Sequence, residues 1–420
     1  MTSLPSAGHD RVSARITACR ACGAAELVPV LDLGDSPLAD RLLTAEQLGV
    51  PEITVPLEFV FCPSCTLVQI TETVAPEVLF CQDYPYYSSV SKSLLAHFAA
   101  SAESIIESRG LGADSLVVEA ASNDGYMLRS FAQAGIPVLG VDPADGPARV
   151  ASESGIETLN TFFTLALARE LREQGRRADA FLANNVLAHV ADLGGFVDGV
   201  ATILADDGVA VIEVPYLLDL VDHCEFDTIY HQHLCYFSVM ALDRLFRAHS
   251  LYLNDVHRTA IHGGSLRLFV GKREDANASV GELLAMETER GMDQRAYYED
   301  FSNRVRSLCN RVTETLRDLK AAGHRIMGYG AAAKACTLMH ACGMGSDVLD
   351  SIADLSPVKQ GKYMTGNHLP IVAPHRIVQD APDYVMILAW NFADEIMRQL
   401  SAHERAGGKF IVPIPELRII

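Results

Sequence analysis

Two cysteine pairs, Cys19-Arg-Ala-Cys22 and Cys62-Pro-Ser-Cys65, constrain this chain more than any other feature. Two residues between cysteines place both thiolates on one tight turn, and two such turns close the four-thiolate tetrahedron that holds zinc. With Cys19, Cys22, Cys62 and Cys65 as ligands every coordination position is taken, so the ion would be structural. The expectation is a small metal-pinned module at the N-terminus. The segment between the pairs is longer than in the commonest zinc ribbons, which leaves unrelated free thiols, and more remotely disulfides, as alternatives. Of the ten cysteines, Cys309, Cys336 and Cys342 read as core packing.

A chain of 420 residues, 49% hydrophobic and 21% charged, can bury two or three domain cores. No run of about eighteen apolar residues occurs, and residues 1–10 are polar, with Pro5 and Gly8, unlike a signal peptide. The expectation is a cytoplasmic protein with no membrane partner, whose cysteines stay reduced. A formal charge of −19, with no basic run carrying interleaved aromatics, argues against nucleic acid. A small anionic substrate needs only a few local donors and is compatible with that charge.

Beyond the second cysteine pair, the Tyr-rich segment Asp83-Tyr-Pro-Tyr-Tyr-Ser-Ser89 leads into a helical pattern over 91–108. Short apolar runs then alternate with helical stretches: 116–119, 138–141, 180–183, 209–214 and 265–270. That alternation predicts a parallel doubly wound sheet. Residues 280–322 lack proline and read as a helical connector separating two globular units, followed by a second alternating pattern at 324–328, 348–352, 384–388 and 409–413. The predicted architecture is α/β: a zinc-binding module (1–80), a central Rossmann-like sheet domain (81–278), a helical connector (279–322) and a smaller Rossmann-like α/β domain (323–420).

The first strand runs into Glu119-Ala-Ala121-Ser122-Asn123-Asp124-Gly125. A dinucleotide loop would carry G-x-G-x-x-G there, and it does not. Carboxylates beside a small polar turn favour a cationic, phosphate-free ligand, which describes S-adenosylmethionine. The second strand ends at Asp142-Pro143, about twenty residues on, where a carboxylate can accept both ribose hydroxyls. The next strand ends at Asn184-Asn185, with His189 close behind, so these side chains should crowd the same edge.

Residues 230–236 pack Tyr230, His231, Gln232, His233 and Tyr236 together. Read as an extended segment, His231 and His233 share one face. General-base chemistry is the preferred reading, with a metal pair or a solvated loop as alternatives. A histidine can abstract a proton from carbon beside a ketone when donors such as tyrosine meet the enolate oxygen. Tyr84, Tyr86 and Tyr87 would line the opposite wall.

Taken together, Cys19-x2-Cys22 with Leu31-Asp-Leu-Gly34, Cys62-x2-Cys65, Tyr86-Tyr-Ser-Ser89, Glu119 to Gly125, Tyr230 to Ser238, His262-Gly-Gly-Ser-Leu266, Gly328-Tyr-Gly-Ala-Ala-Ala-Lys334, Lys359-Gln-Gly361 and His368-Leu-Pro-Ile371 resemble the zinc-containing, S-adenosylmethionine-dependent sugar C-methyltransferases. That family acts on TDP-linked ketodeoxyhexoses in antibiotic pathways. The resemblance spans nearly the whole chain and is nearest to the C-3-methyltransferases of mycarose-type branches. It implies His233 as base, with Tyr230, Asn185 and His189 in the cleft. Gln232 replaces the family's Glu, and Ala121 stands where glycine is common, which is harmless if its φ is negative. Gly330 and Lys334, at a helix N-terminus suited to a diphosphate, and beyond them Lys359 and His368, are then candidates for the sugar nucleotide. Two other functions compete: an NADPH-dependent 4-ketoreduction, alone or as a second activity, and a noncatalytic zinc-bearing interaction protein. Reduction alone is disfavoured by the lack of a Tyr-x-x-x-Lys pair and of a glycine-rich pyrophosphate loop.

Overall fold

Alternation along the strands builds the central layer. In the computed structural model, which describes residues 12–80 and 87–420, seven strands form one sheet. They are β1 (Val117–Ala120), β2 (Val138–Val141), β3 (Thr158–Leu159), β4 (Ala178–Asn184), β5 (Leu204–Pro215), β6 (Tyr252–Thr259) and β7 (Ser265–Gly271). The order is β6-β7-β5-β4-β1-β2-β3, and β7 alone runs antiparallel to its neighbours. Val117, Leu182 and Val211 face one apolar layer, built on Phe98, Ile105 and Phe131. Their chain neighbours Val118, Phe181 and Ile212 face the other, against Phe196, Val200 and Phe246. Each strand is thus buried on both sides, as a doubly wound sheet requires. The helix Lys92–Arg109 starts where the Ser91 hydroxyl accepts from the Leu94 amide and stops at Gly110, φ +60°, both as capping chemistry dictates.

The N-terminal module is an antiparallel sheet of Val28–Pro37, Thr54–Phe61 and Val68–Ile70. Its fourth strand is Cys235–Tyr236, which comes from the histidine-rich stretch far along the chain. His231, 1% exposed, reinforces this seam by reaching the carbonyls of Val55 and Pro56 at 3.1 and 3.2 Å.

Residues 280–322 are helical, in Ala278–Glu289, Arg295–Glu299 and Phe301–Ala321, but they pack rather than separate. Phe301, Val305, Leu308, Val312 and Leu316 fall on one helical stripe and are all buried. Tyr298 stacks on Phe61 with ring centroids 4.9 Å apart, so this helical pair covers the back of the cysteine module.

The C-terminal sheet has the order Ile371–Val372, Ile352–Ala353, Ile326–Tyr329, Tyr384–Ile387, Lys409–Val412, Arg418–Ile419, with only the last strand antiparallel. In chain order that is 3-2-1-4-5-6, the arrangement of dinucleotide folds. The two-residue edge strands were invisible as patterns because so short a run has no period to read.

Glu287 is a buried fastening of this architecture. Its carboxylate accepts from the amides of Val239 and Met240, at 2.7 and 2.8 Å, and from the Tyr216 hydroxyl at 2.8 Å. It caps the helix Val239–Ala248 from a different element. Replacing it (Glu287→Ala) should destabilise the fold by about 3 kcal/mol, with Glu287→Gln closer to wild type; urea unfolding of both variants measures this.

Candidate functional site

The two cysteine turns are near copies of each other. The Gly23 amide donates to the Cys19 carbonyl and that of Thr66 to the Cys62 carbonyl, both at 2.9 Å. Gly23 and Thr66 each adopt a left-handed φ, +72° and +65°. These turns bring the four sulfurs within 4.8 Å of one another, with Cys19 to Cys65 at 3.5 Å and Cys22 to Cys62 at 3.7 Å. A zinc ion with Zn–S bonds of about 2.3 Å sets its sulfurs about 3.8 Å apart, so the cage fits the ion. The Gln69 amide donates to Cys19 Sγ at 3.1 Å, holding that ligand from the next layer. Crowding sets the ionisations against one another. Cys19 is held down, to about 4, chiefly by the Cys65 thiol, while Cys65 is pushed up by the same contact and Cys62 by burial. A divalent cation removes that opposition by favouring all four thiolates.

A cleft of about 760 Å³ opens where the carboxyl ends of both α/β sheets face the turn at Tyr230. On the first sheet Ala121 (φ +52°), Asn123 (φ +49°) and Gly125 (φ +75°) curl the loop tightly after β1. The negative φ that would make Ala121 harmless is not met: alanine occupies a left-handed position that glycine adopts without penalty, at a cost of about 1 kcal/mol. Asp142, 3% exposed, accepts from the amides of Asn123 and Ala144, each at 2.8 Å. Burial raises its pKa to about 6. Ala121, Asn123, Asp142, Pro143 and Asn184 line the cleft, whereas Glu119, Ser122, Asp124 and Gly125 do not. Glu119 is fully buried, raised to about 8 mainly by burial, and accepts from Asn184 Nδ2 at 3.0 Å. Asp124 anchors Ser89, and Asn123 Oδ1 accepts from the Ser88 amide at 2.9 Å, so the segment carrying Tyr87 is tied to the loop. Tyr87 lines the cleft; Tyr84 and Tyr86 lie outside the described residues.

The Tyr230 segment is a turn and not a strand. The His233 amide donates to the Tyr230 carbonyl at 2.8 Å, so residues three apart converge. His231 and His233 therefore do not share a face. His231 is turned into the cysteine module, and Tyr230 and His233 meet instead. Their rings stack at 4.2 Å, and Tyr230 Oη lies 3.0 Å from His233 Nε2. His233 Nδ1 donates to the Thr228 carbonyl at 2.8 Å, which fixes the tautomer and leaves the lone pair on Nε2. His189 sits edge-on to His233 at 4.8 Å, and burial pushes it down to about 4, so it is neutral. Asn185 (φ +55°) lines the same wall, its buried Oδ1 without a hydrogen-bond partner among the described residues. Gln232 is buried at the cleft, its Nε2 3.5 Å from the Ala39 carbonyl.

On the second sheet Lys334 and Lys359 line the cleft, but Gly330 and His368 do not. Gly330 (φ +97°) is glycine because a Cβ would come within 2.8 Å of Ala389. His368 pairs with Glu52 at 2.7 Å, away from the cleft. Lys334 donates to Asn391 Oδ1 at 2.6 Å and lies 4.3 Å over the Trp390 ring, in the field of Asp227 and Glu225. Its charge is largely spent on those acids.

Sequence reasoning read Gly328 to Lys334 as a helix N-terminus for a diphosphate but overlooked its dinucleotide-loop pattern, and it missed Asp354 and Asp40. Gly328-Tyr-Gly330-Ala-Ala-Ala333 is a G-x-G-x-x-A series following a strand, so the glycine-rich loop absent from the first sheet is present in the second. Asp354, ending the next strand, accepts from the amides of Ala331 at 2.7 Å and Ser356 at 2.8 Å. That repeats the bonding of Asp142: one oxygen to the first loop, the other to the residue two ahead. Asp40, from the cysteine module, also reaches the cleft and carried no signal in sequence.

A Rossmann-like sheet of this order, with a carboxylate at the end of its second strand and no pyrophosphate loop, defines an S-adenosylmethionine-dependent methyltransferase. Family models agree: a methyltransferase domain matches residues 96–254, a zinc binding domain residues 19–80, and a C-methyltransferase C-terminal domain residues 260–415. The chain is 37% identical over 408 residues to the C-methyltransferase NovU of Streptomyces niveus, covering 96% of this chain and 97% of that protein. It belongs to this C-methyltransferase family. A ubiquinone biosynthesis O-methyltransferase of Azorhizobium caulinodans is 29% identical over 120 residues, 28% of this chain and 46% of that one. Among solved structures, magnesium protoporphyrin IX methyltransferase from Synechocystis PCC 6803 matches at 14% identity over 43% of this chain and 83% of its own, with a TM-score of 0.34.

The cage predicts that Cys62→Ser will lose zinc and at least about 4 kcal/mol of stability. Elemental analysis together with scanning calorimetry checks this; a variant with one full equivalent of zinc would exclude the cage as the site.

Proposed function

We propose that this enzyme methylates C-3 of a TDP-4-keto-2,6-dideoxyhexose, next to the ketone, in a deoxysugar pathway serving antibiotic biosynthesis. The Tyr230–His233 pair carries the reading. Thr228 holds the imidazole so that Nε2 is the proton acceptor, and Tyr230, already donating to that atom, is the donor best placed to meet the ketone oxygen. As the C-3–H bond breaks, its proton passes to Nε2 and its electron pair moves toward the ketone oxygen. Neutral His189 supports this, since a second imidazolium 4.8 Å away would oppose protonation of His233. When bound across the β1 loop with its ribose on Asp142, S-adenosylmethionine supplies the electrophilic methyl group. Apolar walls from Phe80, Leu94, Phe98 and Phe196 keep water from the carbanion.

The nucleotide half belongs, in this reading, against the second sheet, where Asp354 offers a ribose hydroxyl the same acceptor geometry as Asp142. That site also bears on NADPH reduction, because a carboxylate at this strand end repels a 2′-phosphate. The glycine series and Asp354 suit a nucleotide lacking one, which TDP satisfies.

Two outcomes test this. His233→Ala should abolish solvent deuterium exchange at C-3 and lower methyl transfer at least about 100-fold, with adenosylhomocysteine affinity unchanged; retained exchange removes His233 as base. Because burial raises Asp142 to about 6 and only the ionised carboxylate can accept through both oxygens at full strength, adenosylhomocysteine affinity should fall as pH drops through about 6, by up to about tenfold per unit below it. Calorimetry across pH 5–8 should find that slope in the wild type and a flat profile in Asp142→Asn.

A further inference from the structure

We propose that Asp40 and Lys359 form a hydroxyl-reading pair for the hexose ring, so that the zinc module supplies a substrate-binding residue as well as a scaffold. This rests on the sugar-nucleotide reading above.

Asp40 follows the strand Val28–Pro37 and enters the cleft on the side of the Tyr230 turn. Gln232 fixes that approach, its amide lying against the carbonyl of Ala39, the residue before Asp40. Asp40 is held at φ +59°, a left-handed position that aspartate tolerates better than most residues but still at a cost. Its side chain is 10% exposed, as is that of Lys359, whose Nζ stands 3.8 Å from Oδ1 and donates to the Ala331 carbonyl at 2.7 Å.

The three other aspartates of the cleft wall have protein donors, whereas Glu225 has His223 Nδ1 at 3.4 Å and Glu77 is exposed. Asp142 and Asp354 each take two amides, and Asp192 accepts from the Gly195 amide at 3.0 Å. No hydrogen-bond donor among the described residues reaches the Asp40 carboxylate, which is left with Lys359 beyond hydrogen-bond distance. The carboxylate therefore keeps acceptor capacity facing the cleft, with an ammonium beside it. A ligand hydroxyl completes the arrangement by donating to Asp40 and accepting from Lys359. A phosphate does not, since Asp40 neutralises the lysine and repels an anion. Lys359 is therefore reassigned from the diphosphate to the sugar ring.

A 4-keto-2,6-dideoxyhexose carries one free ring hydroxyl, on C-3, the carbon that loses its proton. Holding that hydroxyl fixes which face of C-3 presents hydrogen to His233, so the pair would set substrate choice and stereochemistry together.

The experiment compares wild type and Asp40→Asn, an amide that keeps the backbone preference, on the TDP-4-keto-2,6-dideoxyhexose and on its 3-deoxy analogue. Methylation and C-3 deuterium exchange are both read. The wild type should prefer the hydroxylated sugar about tenfold or more in kcat/KM, and Asp40→Asn should lose most of that preference through a raised KM. Zinc content, thermal midpoint and adenosylhomocysteine affinity should stay unchanged. An undiminished preference in Asp40→Asn overturns the Asp40 assignment while leaving the function intact. A wild type that processes neither sugar, though it binds adenosylhomocysteine, overturns the substrate reading and this inference with it.

Discussion

Two residues of strand pairing, Cys235 opposite Gln69 and Tyr236 opposite Val68, tie the Tyr230 turn to the cysteine cage. Gln69 also donates to Cys19 Sγ, so a ligand of the cage, the strand behind it and the strand leading out of the Tyr230 turn form one hydrogen-bonded series. His231 closes the series on the other side through the carbonyls of Val55 and Pro56. The geometry at Tyr230 and His233 thus depends on a module that the chain completed long before. A small sheet with little core of its own gains its rigidity from cross-linking sulfurs, and it passes that rigidity to a turn that has no regular structure to hold it.

The cleft is a meeting of two sheets built on one plan. In each, a loop after the first strand donates an amide to a carboxylate ending the second strand, and the other carboxylate oxygen takes the amide two residues ahead. The loops differ where ligand chemistry should differ. The first is curled by left-handed residues and carries no glycine series, whereas the second brings Gly328 and Gly330 so close to neighbouring strands that a Cβ at either would be crowded. With these edges facing each other, a methyl donor on one and a nucleotide on the other would bring their reactive ends to the Tyr230 turn.

What could be read in the sequence followed from local rules. The C-x2-C spacing, the Ser91 cap, the buried strands and the acid at Asp142 each depend on residues close in the chain. The failures have the opposite character. Extended alternation misplaced His231 because a single carbonyl contact makes the segment turn, and nothing in the residue types reveals that contact. Asp40 and Glu287 carried no signal, since their surroundings are created by elements distant in the chain, Lys359 for Asp40 and Tyr216, Val239 and Met240 for Glu287. The edge strand β6 was overlooked because its residues Asn254, Asp255, His257 and Arg258 are polar, as a half-exposed edge allows. His368 looked like a ligand residue because of its motif, yet its partner, Glu52, belongs to the distant cysteine module.

Backbone strain is distributed in keeping with this account. Asp40, Ala121, Asn123 and Asn185 are non-glycine residues with left-handed φ, and all four line the cleft. Each costs about 1 kcal/mol, which a fold tolerates only where surrounding structure over-determines the conformation. The restraints are visible: Ala39 against Gln232, Asn123 on Asp142, and Asn185 donating its amide to the Glu213 carbonyl at 2.8 Å. Two buried polar atoms without a hydrogen-bond partner among the described residues, Asn185 Oδ1 and His189 Nδ1, lie at the same wall. Left-handed backbone and unpartnered polar atoms are thus concentrated along one wall of the cleft. Ligand groups that met those atoms would recover that cost as binding energy.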